Sequence, residues 1–109
     1  MIKKPNPKSN NVCSVESPQE GRIGTYLHAN GKVASLVEVT CKTDFAAKTK
    51  TFADLAHDLA MQVAAMGKTK LHQQKFIKDP KKTIKKVLTE AQTELGEEIK
   101  IGRLVRYAL

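Results

Sequence analysis

The segment Val37-Glu38-Val39-Thr40-Cys41-Lys42-Thr43-Asp44-Phe45-Ala46-Ala47 constrains this chain more than any other. Before it, the residues carry a strand-like run. After it, Phe52, Leu55, Ala56, Leu59, Ala60, Val63 and Met66 recur at three- and four-residue steps, which is one stripe of an α-helix. The backbone must therefore pass from strand to helix through the polar turn between them. That elbow presents an acid and an aromatic, Asp44 and Phe45, side by side. No base, nucleophile or metal partner accompanies them in sequence. The pair suits a wedge pushed into another protein better than it suits catalysis.

The rest of the chain can be arranged around this elbow. Arg22 to His28 and Val33 to Thr40 read as a β-hairpin around Ala29-Asn30-Gly31-Lys32. Asn-Gly at the centre of a two-residue loop predicts a type I′ turn, because both central positions take positive φ. That register pairs Tyr26 with Ser35 and Leu27 with Ala34. Ile23, Leu27 and Leu36 then share one side, and Tyr26, Val37 and Val39 the other; a sheet partly covered on both faces would account for apolar residues on each. The helix runs from about Lys48 to Met66, with Lys50, Asp54, His57, Asp58 and Gln62 mostly on its polar side and Gly67 as its stop signal. Residues 68–75 read as a loop, and Phe76-Ile77 as a short extended piece ending at Asp79-Pro80. Thr83 is placed to cap a second helix, whose stripe is Ile84, Val87, Leu88, Ala91 and Leu95 and which Gly96 ends. In the last segment Ile99, Ile101, Val105, Tyr107 and Leu109 alternate on one face of a final strand, with a bulge expected near Gly102 where Arg103 interrupts them. The order hairpin, helix, loop, helix, strand predicts an α+β domain. Its helices pack on one face of a small antiparallel three-stranded sheet, the β-hairpin plus the C-terminal strand.

Charge narrows the choice of partners. Nineteen Lys and Arg face eleven Asp and Glu, a formal net charge of +8. Such a balance favours an anionic partner, RNA or an acidic protein face, without choosing between them. Residues 1–19 form a basic tail rich in Pro, Asn and Ser, expected to be disordered unless bound, and residues 20–109 form the folded core. No signal-peptide or membrane-spanning pattern is present, so a cytoplasmic protein is expected. Cys13 and Cys41 lie in different contexts, and no disulfide between them is expected. His28, His57 and His72 are too far apart for a metal site, and no cofactor motif stands out. No nucleophile elbow or glycine-rich phosphate loop appears, so the chain does not read as an enzyme.

The run Val37 to Ala47 resembles the elongation factor Ts family, the nucleotide-exchange factors of the translational GTPase elongation factor Tu (EF-Tu). The family has Thr-Asp-Phe-Val after a Val-Glu-Val strand; this chain has Thr43-Asp44-Phe45-Ala46. The likeness continues in order through Tyr26-Leu27-His28-Ala29-Asn30-Gly31, Leu55 to Gln62, Phe76-Ile77-Lys78-Asp79, Leu95-Gly96-Glu97-Glu98-Ile99 and Arg103 to Tyr107. Several ordered motifs are far more specific than one. The resemblance implies that Thr43, Asp44, Phe45 and Ala46 contact elongation factor Tu, with Asp44 and Phe45 wedged between its helices near the magnesium and switch region so that GDP leaves. Homodimerisation is common in the family, although the sequence shows no exposed apolar stripe that demands it. Four departures from the family pattern stand out. A short tail occupies the place of the family's N-terminal helical, UBA-like domain. Lys42 replaces an acid and Ala46 replaces Val. The link from the first core helix to the Phe76 motif is also short, giving one core subdomain.

Each feature also has a plainer reading. Asp44 would simply cap the following helix, and Phe45 would staple into the core. The lysines Lys75, Lys78, Lys81, Lys82, Lys85 and Lys86 would form a solvated face, yet they are dense enough to bind phosphates. Two functions are therefore expected from different classes. The first is an elongation factor Ts-like protein that binds elongation factor Tu and promotes GDP release during protein synthesis. The alternative is a basic ribosome-associated or ribosomal RNA-binding protein that reuses the same core as a structural module, held by the lysine stripe and the tail.

Overall fold

Alternation in the hairpin produces the sheet. The computed structural model describes residues 20–109; the tail reading and Cys13 lie outside them. Strand β1 (Glu20–Leu27) pairs antiparallel with β2 (Val33–Cys41), and β2 pairs antiparallel with β5 (Lys100–Ala108), so β2 is central. Tyr26 lies opposite Ser35 and Leu27 opposite Ala34, the register expected from the sequence. The turn itself differs. Only Gly31 takes positive φ (73°), and Asn30 does not, so the turn is not type I′. The His28 carbonyl accepts from the Gly31 N–H at 2.8 Å, and the Asn30 Oδ1 accepts from the Lys32 N–H at 2.8 Å. Asn30 thus works through its side chain, which stabilises a wider loop without the left-handed backbone.

One face of the sheet is core and the other is bare. Val37 and Val39 are fully buried, with Ser35 between strand and helix on the same side. Against them lies α2 (Lys50–Met66), which buries Phe52, Leu55, Ala56, Leu59, Ala60 and Val63. The Ser35 hydroxyl donates to the Ala60 carbonyl at 2.5 Å, tying the layers together. Gly24 brings β1 so close to α2 that a Cβ there would sit 2.0 Å from the Ala56 carbonyl oxygen. The opposite face carries Ile23, Leu27, Leu36, Val105 and Tyr107, all exposed. Coverage on both faces is therefore not what the described residues show, and an exposed apolar stripe exists after all.

Strand β5 accounts for part of that stripe. Val37 pairs with Leu104 but Val39 with Ile101, which places one extra residue of β5 opposite Glu38. This is the bulge expected near Gly102. An extra residue moves every later side chain to the other face. Ile99 and Ile101 consequently share the core side with Leu104, while Val105 and Tyr107 lie outside, so the expected single face from Ile99 to Leu109 is corrected. Glu38 locks the bulge by accepting from the Arg103 backbone N–H (2.9 Å) and its Nε (3.0 Å). Those bonds hold the Glu38 carboxyl below its ordinary range despite partial desolvation.

The remaining elements close the core on the far side of α2. After Gly67 a 3₁₀ turn (Leu71–Gln73) leads to a two-stranded ribbon, β3 (Lys75–Phe76) with β4 (Asp79–Thr83). Helix α3 (Ile84–Leu95) follows, capped by the Thr83 hydroxyl and ended by left-handed Gly96. Ile84, Leu88 and Ala91 face inward. Gln62 corrects the amphipathic assignment of α2: it is completely buried, not on a polar face. Its Nε2 donates to Gln74 Oε1 (2.9 Å) and the Lys75 carbonyl (3.0 Å), and its Oε1 accepts from the Ile77 N–H (3.0 Å). A helix covered by a sheet on one side and a ribbon on the other keeps a polar residue inside only when its hydrogen bonds are met.

Candidate functional site: the strand-to-helix elbow

Strand β2 ends at Cys41, and the chain turns at once into a one-turn helix, α1 (Asp44–Ala47). Thr43 is its N-cap, with extended backbone (φ −122°, ψ 146°) and a hydroxyl that accepts from the Ala46 N–H at 3.1 Å. Asp44 is therefore the first helical residue and not the cap, correcting the plainer reading. Its carboxylate pairs with Lys48 at 2.9 Å on the surface, where such a pair contributes little. Thr49 ends α1 and starts α2: its hydroxyl donates to the Ala46 carbonyl (2.8 Å) and accepts from the Phe52 N–H (3.1 Å). The elbow is thus built from two threonine caps six positions apart in a Thr-x₅-Thr frame, Thr43 and Thr49.

The phase of α1 decides where Phe45 goes. Ala46 and Ala47 are buried, and their small side chains let the turn sit close on the core. With both alanines inward, Phe45 turns outward and is 85% exposed. The staple reading of Phe45 is overturned by this. A phenyl ring in water forgoes about 1.5–3 kcal/mol that burial would supply. The chain holds this ring out on a braced support.

Glu97 supplies the brace, and sequence reasoning missed it. Left-handed Gly96 ends α3 and delivers Glu97 to the elbow. Its Oε1 accepts from the backbone N–H groups of Lys42 (2.8 Å) and Thr43 (3.1 Å), and its Oε2 accepts from the Thr43 hydroxyl. The Thr43 hydroxyl donates to one partner and accepts from another, so its capacity is used on both sides. Its hydrogen bond to Thr43, chief among these, draws the Glu97 carboxyl below the ordinary glutamate value. The available signal was an acid directly after a helix-ending glycine. Cys41 is a free thiol that donates to the Thr43 carbonyl at 3.2 Å; burial and the nearby Glu97 carboxylate push its pKa up.

Four residues singled out by sequence, Thr43, Asp44, Phe45 and Ala46, are thus brought together on α1 and its cap, with distinct duties. Thr43 and Ala46 hold the turn, while Asp44 and Phe45 face solvent. The lysines belong to another place: Lys75 is on β3, Lys81 and Lys82 on β4, Lys85 and Lys86 in the first turn of α3, and Lys78 between the ribbon strands. Lys78 pairs with Asp58 at 3.1 Å and Lys82 with Glu90 at 2.7 Å.

An exposed Asp-Phe pair on a clamped elbow, following a strand within a three-stranded sheet, can be compared with known proteins. A family model described as Elongation factor TS matches residues 8–70, more than half of the chain and all of the elbow. The chain belongs to the elongation factor Ts family. Elongation factor Ts of Maridesulfovibrio salexigens is 36% identical over 138 aligned positions, covering 83% of this chain and 67% of the relative. That of Moorella thermoacetica is 32% identical, covering 81% and 67%. That of Clostridium kluyveri is 39% identical over 93 positions, covering 83% of this chain but only 30% of the relative. Since 83% of 109 residues is about 90, the 138 positions shared with the first relative include stretches that this family member lacks. Among the described residues no three His, Cys, Asp or Glu side chains gather as a metal site would, and no helix is long and apolar enough to cross a membrane. The elbow presents one anionic and one aromatic group together at the surface.

Proposed function

We propose that this chain binds elongation factor Tu through Asp44 and Phe45 and accelerates the release of GDP, acting in the cytoplasm as a non-enzymatic exchange factor. The observation that carries this reading is the outward Phe45 on a turn fixed by Thr43, Ala46 and Glu97. A ring carried on a turn whose backbone is already fixed leaves less backbone to order when it docks. Burying it in the partner supplies about 1.5–3 kcal/mol, equivalent to roughly 10- to 150-fold in affinity. Spent on a partner conformation that holds nucleotide poorly, that energy shifts the partner toward release. Linkage then requires GDP and this chain to weaken each other's binding by the same factor. The exposed outer face of the sheet, with Leu36 and Tyr107, fits the homodimer that the family resemblance allows.

Equilibrium binding to nucleotide-free elongation factor Tu tests the wedge. Phe45→Ala should weaken the complex at least 10-fold, with an unchanged melting temperature because the ring touches no core. Unchanged affinity of the Asp44→Ala/Phe45→Ala variant would remove the proposal.

A further inference from the structure

Almost the whole net charge of the chain is concentrated in one segment. Residues 68–86 hold eight lysines and one acid, Asp79, a net +7 against +8 for all 109 residues. Among the described residues Lys78 and Lys82 have carboxylate partners, whereas Lys68, Lys70, Lys75, Lys81, Lys85 and Lys86 have none. All six are exposed. Lys85 and Lys86 stand in the first turn of α3, which contains no acidic residue. Cations there oppose the positive end of the helix dipole. Local electrostatics therefore disfavour this arrangement in the free protein, and an incoming anion would relieve it.

The lysines are also held on a stiff frame. Buried Gln62 grips Gln74, the Lys75 carbonyl and the Ile77 N–H. Gln74 in turn donates to the carbonyls of Gly67 and Thr69, both at 3.1 Å, and its own carbonyl accepts from the Ile84 N–H at 2.9 Å. The loop, the ribbon and the start of α3 are thereby tied to α2 and to one another.

We propose that this surface, on the loop, the β3–β4 ribbon and the first turn of α3, binds the phosphate backbone of double-helical RNA by charge, without reading base sequence. Its composition favours that partner over others. Protein interfaces centre on aromatic and apolar anchors and are depleted in lysine. The aromatic of this segment, Phe76, is buried, as is Leu71. Single-stranded RNA is gripped by aromatic stacking, and no Phe, Tyr or Trp of the segment is free to stack. A-form duplexes are recognised largely through their shape and backbone, a task for point charges spread over a rigid surface. The site is separate from the elbow and does not depend on the reading of Phe45.

The test uses the full chain and an RNA hairpin whose stem, of about 20 base pairs, exceeds the span of one double-stranded RNA-binding module. Affinity is measured as a function of salt, with the stem sequence then scrambled. Five phosphate contacts would cost roughly 500-fold in affinity between about 50 and 200 mM salt. Lys85→Gln/Lys86→Gln should lower the log–log salt slope by about 1.8, while Lys32→Gln/Lys100→Gln, an equal charge change elsewhere, should leave the slope near that of the parent. Scrambling the stem should change nothing, and Phe45→Ala should bind RNA as the parent does. Equal losses in the two lysine pairs, or no binding at low salt, would overturn the proposal. So would tighter binding to polyglutamate or to phosphatidylserine vesicles than to RNA.

Discussion

Replacing Gln62 with Leu isolates the polar tie between the two halves of the core. The side chain is fully buried and makes three hydrogen bonds: to Gln74 Oε1, to the Lys75 carbonyl and from the Ile77 N–H. Leucine has a similar volume, so the variant opens little space, but all three partners lose their bond. At about 1 kcal/mol for each bond removed, the loss is roughly 3 kcal/mol. Extra apolar burial returns about 1 kcal/mol, leaving a net destabilisation of about 2 kcal/mol. Two-state domains of this size lose about 4–8 °C in Tm per kcal/mol, so Tm should fall by about 8–16 °C. Urea unfolding followed by far-ultraviolet circular dichroism gives the free energy directly, and an unchanged m-value would confirm that the same surface is exposed. Amide exchange at Ile77 should accelerate more than exchange at Val37. A variant within about 0.5 kcal/mol of the parent would refute the reasoning, because surface substitutions commonly give such values.

Gly24→Ala should destabilise by about 3 kcal/mol or more, measured by the same unfolding curve, since the new Cβ would lie 2.0 Å from the Ala56 carbonyl oxygen and backbone must move. Glu97→Gln should loosen the elbow, seen as faster exchange of the Thr43 amide, and slow GDP release more than it lowers Tm. The pH dependence has a definite sign: the folded value of Glu97 lies below the unfolded one. Its contribution is therefore fully present above the ordinary glutamate range and is lost as pH falls through the lower folded value. The Thr43 amide shift should follow that titration in the parent and not in Glu97→Gln. Leu36→Glu should reduce any self-association measured by light scattering without unfolding the chain, because Leu36 lies on the bare face of the sheet.

The degree to which structure was legible differs by element, for physical reasons. Hairpin register followed from alternation together with Asn30-Gly31, but the turn type did not, since Asn30 offers both a left-handed backbone and a side-chain acceptor and the fold uses the second. Thr83 and Gly96 were readable because caps are local chemistry. The bulge near Gly102 was readable from Arg103, yet its consequence, the transfer of Val105 and Tyr107 to the outer face, depends on pairing with β2. Gln62 was misplaced because a polar residue off the apolar stripe ordinarily faces water, and only the ribbon's return over α2 buries it. At the elbow, Asp44 and Phe45 were identifiable, but whether the ring points in or out depends on how Ala46 and Ala47 seat α1. Glu97 stands 54 residues from Thr43 in sequence, and local patterns carry no information across that distance.

The central claim is that Phe45 is a functional wedge on a clamped elbow. Release of fluorescent GDP from elongation factor Tu of the same organism, followed by stopped flow with the parent chain and with Phe45→Ala, tests it most directly. The account predicts clear acceleration by the parent and loss of most of it in Phe45→Ala at an unchanged Tm. Equal release rates for the two proteins would contradict it.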